Sequence, residues 1–127
     1  MARIRAKTKE IDGIKFDSQK EARRYQELKL LEKAGEIRNL QCHPKYPLEI
    51  DGRPIRIRSD RYPNGRTTSY TADFGYDEKS GVAFEIEGVV QAWEPVVEDV
   101  KGFDTPASRL RRAVWEAIYG MEIRIIK

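Results

Sequence analysis

Val96-Val97-Glu98-Asp99-Val100-Lys101-Gly102 decides how this chain is read, together with Thr71-Ala72-Asp73-Phe74 upstream of it. Both stretches have an apolar, strand-like context, and each carries an acid that such a context does not need. Residues two apart in a strand project to the same face, so Asp99 and Lys101 are expected side by side. Asp73 brings a second carboxylate from a neighbouring strand. Two carboxylates and a lysine converging at a sheet edge can hold a divalent cation and position a water. That is the chemistry of metal-dependent phosphodiester hydrolysis.

The bare acid-x-Lys pattern is cheap, and two other places match it. Glu27-Leu28-Lys29 falls in a helix, where residues two apart do not face each other. Asp77-Glu78-Lys79 falls in a polar stretch before Gly81 and reads as a solvated turn. Only Asp99-Val100-Lys101 follows an apolar strand and leads through a glycine into a basic helix, where an unpaired buried charge would be costly. Asp73 taken alone fits the solvent face of a strand, since Ala72, Phe74 and Tyr76 alternate with Thr71, Asp73 and Gly75. Asp99 as a partner changes that balance. Glu98 has the opposite parity and shares a face with Val96 and Val100, where no partner is legible. Glu85 and Glu87 share one face of a strand with no lysine beside them, and read as a solvated face.

Outward from these motifs the chain reads as one domain, 1–127, with no repeat, linker or low-complexity tract. Residues 10–16 form a hairpin with Asp12-Gly13 at its turn. Asp17 or Ser18 caps a helix running to about Ala34, and Gly35 stops it. Glu36 to Leu40 leads into a strand. Tyr46 to Ile50 and Pro54 to Arg58 are two short strands joined at Asp51-Gly52. Residues 59–66 are a loop. Ser69 to Tyr76 is one strand, Asp77 to Gly81 a turn, Val82 to Glu87 another strand, and Pro95 to Lys101 the strand with the key motif. Thr105-Pro106 opens a second helix to about Tyr119, Gly120 ends it, and Met121 to Ile126 is a last strand. The order suggests an α/β sandwich on a mixed sheet. On the first helix Glu21 lies on the stripe of Tyr25 and Leu28. Ser18-Gln19-Lys20-Glu21 is also a capping-box pattern, and on sequence physics alone the cap is the preferred role of Glu21.

Composition sets the outer bounds. The chain is 39% hydrophobic and 35% charged, as expected of a chain with a modest core and a charged surface. No run of about 18 apolar residues offers a membrane span. The basic N-terminal arm, residues 1–9, lacks the apolar stretch of a signal peptide. A single cysteine, Cys42, excludes an internal disulfide and suits a reducing cytoplasm. Cys42 and His43 are too few for a structural zinc site. The net charge of +3 is weak evidence for nucleic acid, but its distribution says more. Arg3, Arg5, Lys7 and Lys9 form one basic cluster. Arg53, Arg56, Arg58, Arg61 and Arg66 form a second, against a single Asp60. Arg109, Arg111 and Arg112 form a third, in the late helix. Such stripes suit phosphate contact.

With these residues in view, the chain resembles the PD-(D/E)xK nuclease superfamily. More closely, it resembles a phage-associated family of small predicted endonucleases that are similar to Holliday-junction resolvases. The matching stretches are Glu10 to Ala22, Tyr25 to Ile37, Tyr70-Thr71-Ala72-Asp73-Phe74 and Val97 to Gly102. The resemblance implies a restriction-endonuclease-like α/β core, a mixed β-sheet flanked by helices in the order α-β-β-β-α-β. It implies catalytic roles for Asp73, Asp99, Lys101 and Glu21. Asp73, Asp99, Glu21 and the Val100 carbonyl would hold Mg²⁺ or Mn²⁺, and Lys101 would orient the water. Lys20, Arg24, Arg109, Arg111 and Arg112 are the residues expected to grip DNA. Ala72 departs from the superfamily's nominal proline, and the long Asp73-to-Asp99 interval has room for an extra strand. The expected activity is a metal-dependent DNA endonuclease acting on branched or duplex DNA in phage DNA processing, in the host cytoplasm and as a homodimer. Two readings compete with it. One is a nicking or recombination nuclease or an RNase of the same chemistry. The other is a non-catalytic nucleic-acid-binding protein.

Overall fold

A computed structural model describes residues 8–127. The basic arm expected at 1–9 lies, through Lys7, outside the described residues. In chain order the elements are β1 (Lys9–Ile11), β2 (Ile14–Phe16), α1 (Gln19–Lys33), β3 (Ile37–Cys42), β4 (Lys45–Pro47), β5 (Glu49–Ile50), β6 (Arg53–Pro54) and β7 (Arg56–Ile57). They continue with β8 (Arg66–Thr67), β9 (Ser69–Thr71), β10 (Phe74–Glu85), β11 (Gly88–Val100), α2 (Pro106–Tyr119) and β12 (Arg124–Ile126). The fold is mixed α/β with two helices and a mostly antiparallel main sheet, whose strand order is β12-β11-β10-β3. The chain divides into two compact units, residues 8–40 with 76–96 and residues 41–75 with 97–127.

In the first unit, β1 and β2 pair antiparallel across Asp12-Gly13, both at positive φ (54° and 77°), the left-handed pair that a tight hairpin turn requires. Ser18 caps α1 by accepting from the Glu21 N–H at 3.1 Å. The helix buries Glu21, Ala22, Tyr25 and Leu28. Phe16 meets the Tyr25 ring with centroids 5.0 Å apart. The Tyr25 hydroxyl donates to Asp12 Oδ2 at 2.8 Å, so one side chain ties the helix to the hairpin turn.

The stretch Asp77 to Gly81, expected as a turn, is instead the middle of β10. Its polar residues have cross-strand partners. Asp77 Oδ2 accepts from the Asn39 amide at 2.9 Å and lies 3.5 Å from Arg38 Nε, and the Lys79 N–H donates to the Glu36 carbonyl. A run of consecutive polar residues has the composition of a loop, but here it lies on an exposed ladder. The hairpin turns at Ile86-Glu87, so the separate strand expected at Val82 to Glu87 is the end of β10 and the beginning of the turn.

In the second unit, β4 pairs antiparallel with β9, β5 with β6 and β7 with β8. The end of β11 pairs with β12 in parallel, with Asp99 level with Ile125. Parallel neighbours need a crossover, and α2 supplies it. Thr105 caps α2 by accepting from the Ser108 N–H, Pro106 opens it, and Gly120 ends it in the left-handed conformation at φ 71°. Its buried face centres on Trp115, which packs with Leu48, Tyr70, Ala72, Val97 and Ile123. Tyr46 meets Trp115 edge-on at 5.4 Å, and Tyr119 stacks on it at 5.1 Å.

The expected single strand Ser69 to Tyr76 is broken at Ala72-Asp73. The Ala72 N–H donates to the Pro44 carbonyl and the His43 N–H donates to the Asp73 carbonyl. β9 therefore stays with β4, while β10 joins the main sheet.

Replacing Thr105 by alanine removes the acceptor for the Ser108 N–H. The expected loss is about 1 kcal/mol, within the usual range for an N-cap, read as a fall of a few degrees in Tm by thermal denaturation.

Candidate metal centre

Val96, Val97, Glu98 and Asp99 are all buried, so β11 is covered on both faces as it reaches the second unit. Burial of valines on alternating sides explains the strand. It also forces Glu98 and Asp99 inward on opposite faces. Glu98 stands level with Arg124 in the parallel ladder, a cationic neighbour that the sequence around it did not reveal.

Asp99 is only 2% exposed, yet its carboxylate is well served. Oδ1 accepts from the Asp73 N–H at 2.9 Å. Oδ2 accepts from the Tyr70 hydroxyl and lies 3.9 Å from Lys101 Nζ. Asp73 is fixed in return, its Oδ2 accepting from the Val100 N–H at 2.7 Å. The break in the expected strand is the reason: outside the ladder, the Asp73 N–H is available to a side chain. Bonds of N–H to carboxylate are charge-assisted and strong, and they fix the orientation of both side chains. Asp73, Asp99 and Lys101 are thus gathered in one unit, as their spacing predicted.

Two neighbours were missed by sequence reasoning. Tyr70 holds Asp99. Burial first, and then the hydrogen bond and negative charge of Asp99, push its phenol well above the ordinary value, so it stays a neutral donor. Nothing in a strand tyrosine three residues before an aspartate announces this. His43 is the other. Its ligand atom and that of Asp73 lie within 4.8 Å of each other. His43 takes a positive φ of 54° at the end of β3, and its N–H bonds the Asp73 backbone. In the sequence His43 stands beside Cys42, and its approach to Asp73 arises only from the fold.

The donor set suits a divalent cation. Carboxylate oxygens are the ligands of Mg²⁺ and Mn²⁺, and an imidazole beside them shifts the balance toward the transition metal. Each carboxylate oxygen has two lone-pair directions, so an N–H bond on one direction does not bar a cation from the other.

The other expected residues lie on the two helices. Glu21 is buried in the first turn of α1, in the other unit, where Ser18 caps its N–H. Lys20 and Arg24 also belong to that helix, and Arg24 pairs with Glu27 at 3.0 Å. On α2, Arg112 is gripped by Asp104, with Nη2 to Oδ2 at 2.7 Å, and Arg109 donates to the Asp104 carbonyl at 3.1 Å. The hydrogen bond to Arg112 holds the Asp104 carboxyl below its usual range and raises the guanidinium in return. Arg111 is exposed beside them.

Fold and site together define a mixed α/β protein built around an interlocked pair of aspartates with an adjacent lysine. The family model described as "Protein of unknown function (DUF1064)" matches residues 1–126, and the chain belongs to that family. No curated protein and no solved structure matches it.

Because the phenol of Tyr70 is raised in the folded chain, the unfolded chain loses that proton first. The contribution is complete below about pH 10, the ordinary phenol value, and declines as pH rises further. Alkaline denaturation curves are expected to show wild type losing stability above pH ~10 more steeply than Tyr70→Phe.

Proposed function

We propose that this chain is a metal-dependent DNA endonuclease of the PD-(D/E)xK kind, with a restriction-endonuclease-like core, acting on branched DNA. The observation that supports it best is the interlocked Asp73–Asp99 pair with Lys101 Nζ 3.9 Å from Asp99. A purely structural ion pair needs one acid and one base. Here two acids, one buried and one half-buried, are brought together beside one lysine, a donor set that a divalent cation would suit.

A bound Mg²⁺ or Mn²⁺ would supply Lewis-acid polarisation of the scissile phosphoryl group and ease deprotonation of a water. Asp73, Asp99 and the Val100 carbonyl are the proposed ligands, His43 a further one on Mn²⁺, and the resemblance adds Glu21. Tyr70 keeps Asp99 oriented without adding charge. Lys101, 3.9 Å from Asp99 Oδ2, is assigned to orient the attacking water and offset charge gathering on the phosphorane. One centre per chain cuts one strand, so resolving a four-way junction calls for a twofold dimer.

The test is cleavage of a labelled four-way junction, beside linear duplex of the same sequence, with Mg²⁺ or Mn²⁺. Wild type is expected to cut the junction preferentially. Asp99→Asn and Lys101→Ala are each expected to lower the rate by at least about 100-fold, as when a group stabilising a transition state is removed. Wild type that binds DNA but cuts nothing with either metal would sink the enzyme reading. Equal rates on junction and duplex would remove the preference for branched DNA.

His43→Asn is expected to weaken Mn²⁺ more than Mg²⁺, read as the shift in each metal's half-saturation in isothermal titration. An equal shift for both metals would take His43 out of the ligand set.

A further inference from the structure

The second unit carries an arginine-rich excursion that the metal centre does not use. Arg53, Arg56, Arg58, Arg61 and Arg66 lie on β6, on β7 and β8, and on the loop between the last two. Three arginines elsewhere are ion-paired: Arg24 with Glu27, Arg38 with Asp77, Arg112 with Asp104. Among the described residues, none of these five has a carboxylate partner, and neither does Arg111 on α2. Like charges held within a Debye length repel, so a fold that gathers five arginines against the single Asp60 of the loop, none of them ion-paired, is poised for a polyanion.

The loop is built rather than loose. Ser59 and Tyr62 exchange backbone hydrogen bonds at 3.1 Å, Ser59 Oγ accepts from the Tyr62 N–H, and the Gly65 N–H donates to the Tyr62 carbonyl. Gly65 sits at φ 89°, and a Cβ there would come within 2.8 Å of Arg56 Cβ, so the return strand runs tight against Arg56. The ring of Tyr62 gathers two guanidinium groups, Arg61 at 5.7 Å and Arg66 at 5.5 Å from its centroid. Such contacts order arginine side chains before a ligand arrives. Beside the hairpin lies a recess of about 400 Å³ whose lining includes Ser59, Thr67, Thr68 and Ser69 together with Arg66 and Arg111.

We propose that this hairpin and recess form a second nucleic-acid-binding site, which grips the sugar–phosphate backbone of the strand being processed. The proposal deepens the nuclease reading by naming where the substrate runs, but it stands on residues outside the metal centre. Guanidinium forks match phosphate oxygens, and hydroxyls donate to them. The charges extend past the recess along the whole excursion, which suits a repeating polyanion better than one phosphorylated small molecule. Contacts to phosphate and sugar carry no sequence information, so binding here is expected to be independent of sequence.

The test is fluorescence anisotropy of labelled duplex and single-stranded DNA with the full chain, in chelator, across a salt series. Arg58→Gln/Arg61→Gln is expected to weaken binding at least tenfold at low salt. It should also lower the slope of log K against log salt by about 2 on duplex, from roughly 0.9 per phosphate contact. Arg58→Lys/Arg61→Lys should keep the slope, and Arg111→Gln, on the solvent face of α2, should lower it by about 1 should the first variant not fold. Unchanged affinity and slope in the glutamine variants would overturn the site. Displacement of DNA by poly-glutamate at equal charge would overturn its assignment to nucleic acid. A duplex bound more tightly than single strand, or the reverse, identifies which form the site takes. Mn²⁺ binding, measured separately by isothermal titration, is expected to be unaltered in these variants. Its absence in wild type would count against the metal centre and leave this site standing.

Discussion

Each of two aspartates is held by a backbone N–H from the other's segment, and the second unit is organised around that exchange. The Asp73 N–H reaches the Asp99 carboxylate, and the Val100 N–H reaches the Asp73 carboxylate. Ala72-Asp73 lies between β9 and β10 rather than within a strand, which leaves the Asp73 N–H for the Asp99 carboxylate. The break sends β9 to β4 and β10 to the main sheet. Leu48, Tyr70 and Trp115 then close the core around that junction. A buried carboxylate stripped of one such partner costs several kcal/mol at the upper end, so geometry at this point tolerates little change.

Around that fixed centre, charge is distributed in two ways. Arginines near carboxylates are absorbed into the structure. The Asp104 side chain and carbonyl occupy Arg112 and Arg109 before any ligand is considered. The β7–β8 hairpin does the opposite, holding two guanidinium groups on an aromatic ring, neither of them in an ion pair. Basic content alone does not separate these groups. Pairing does, and pairing is a property of the fold.

The sequence made local features legible and left tertiary ones hidden. Asp12-Gly13, Ser18, Thr105-Pro106 and Gly120 were readable because caps and tight turns are set by a few adjacent residues. The side-by-side placement of Asp99 and Lys101 was readable because strand parity is local. The break at Asp73 was not, since Ala72, Phe74 and Tyr76 alternate through it as an unbroken strand would. β10 was misjudged over Asp77 to Gly81 because its polar residues find partners on β3, which no window of neighbouring residues contains. Tyr70 and His43 meet the aspartates only after the chain has folded back on itself.

The parallel ladder between β11 and β12 has a consequence for the order of events during synthesis. The Lys101 N–H donates to the Ile126 carbonyl at 2.9 Å, and Asp99 is level with Ile125. The strand bearing Asp99 and Lys101 is therefore without its outer neighbour until residue 126 has left the ribosome and α2 has folded back. A ribosome adds residues in one direction, so this edge is the last of the centre to close. A growing chain carries its carboxylates for some time before it carries a finished site.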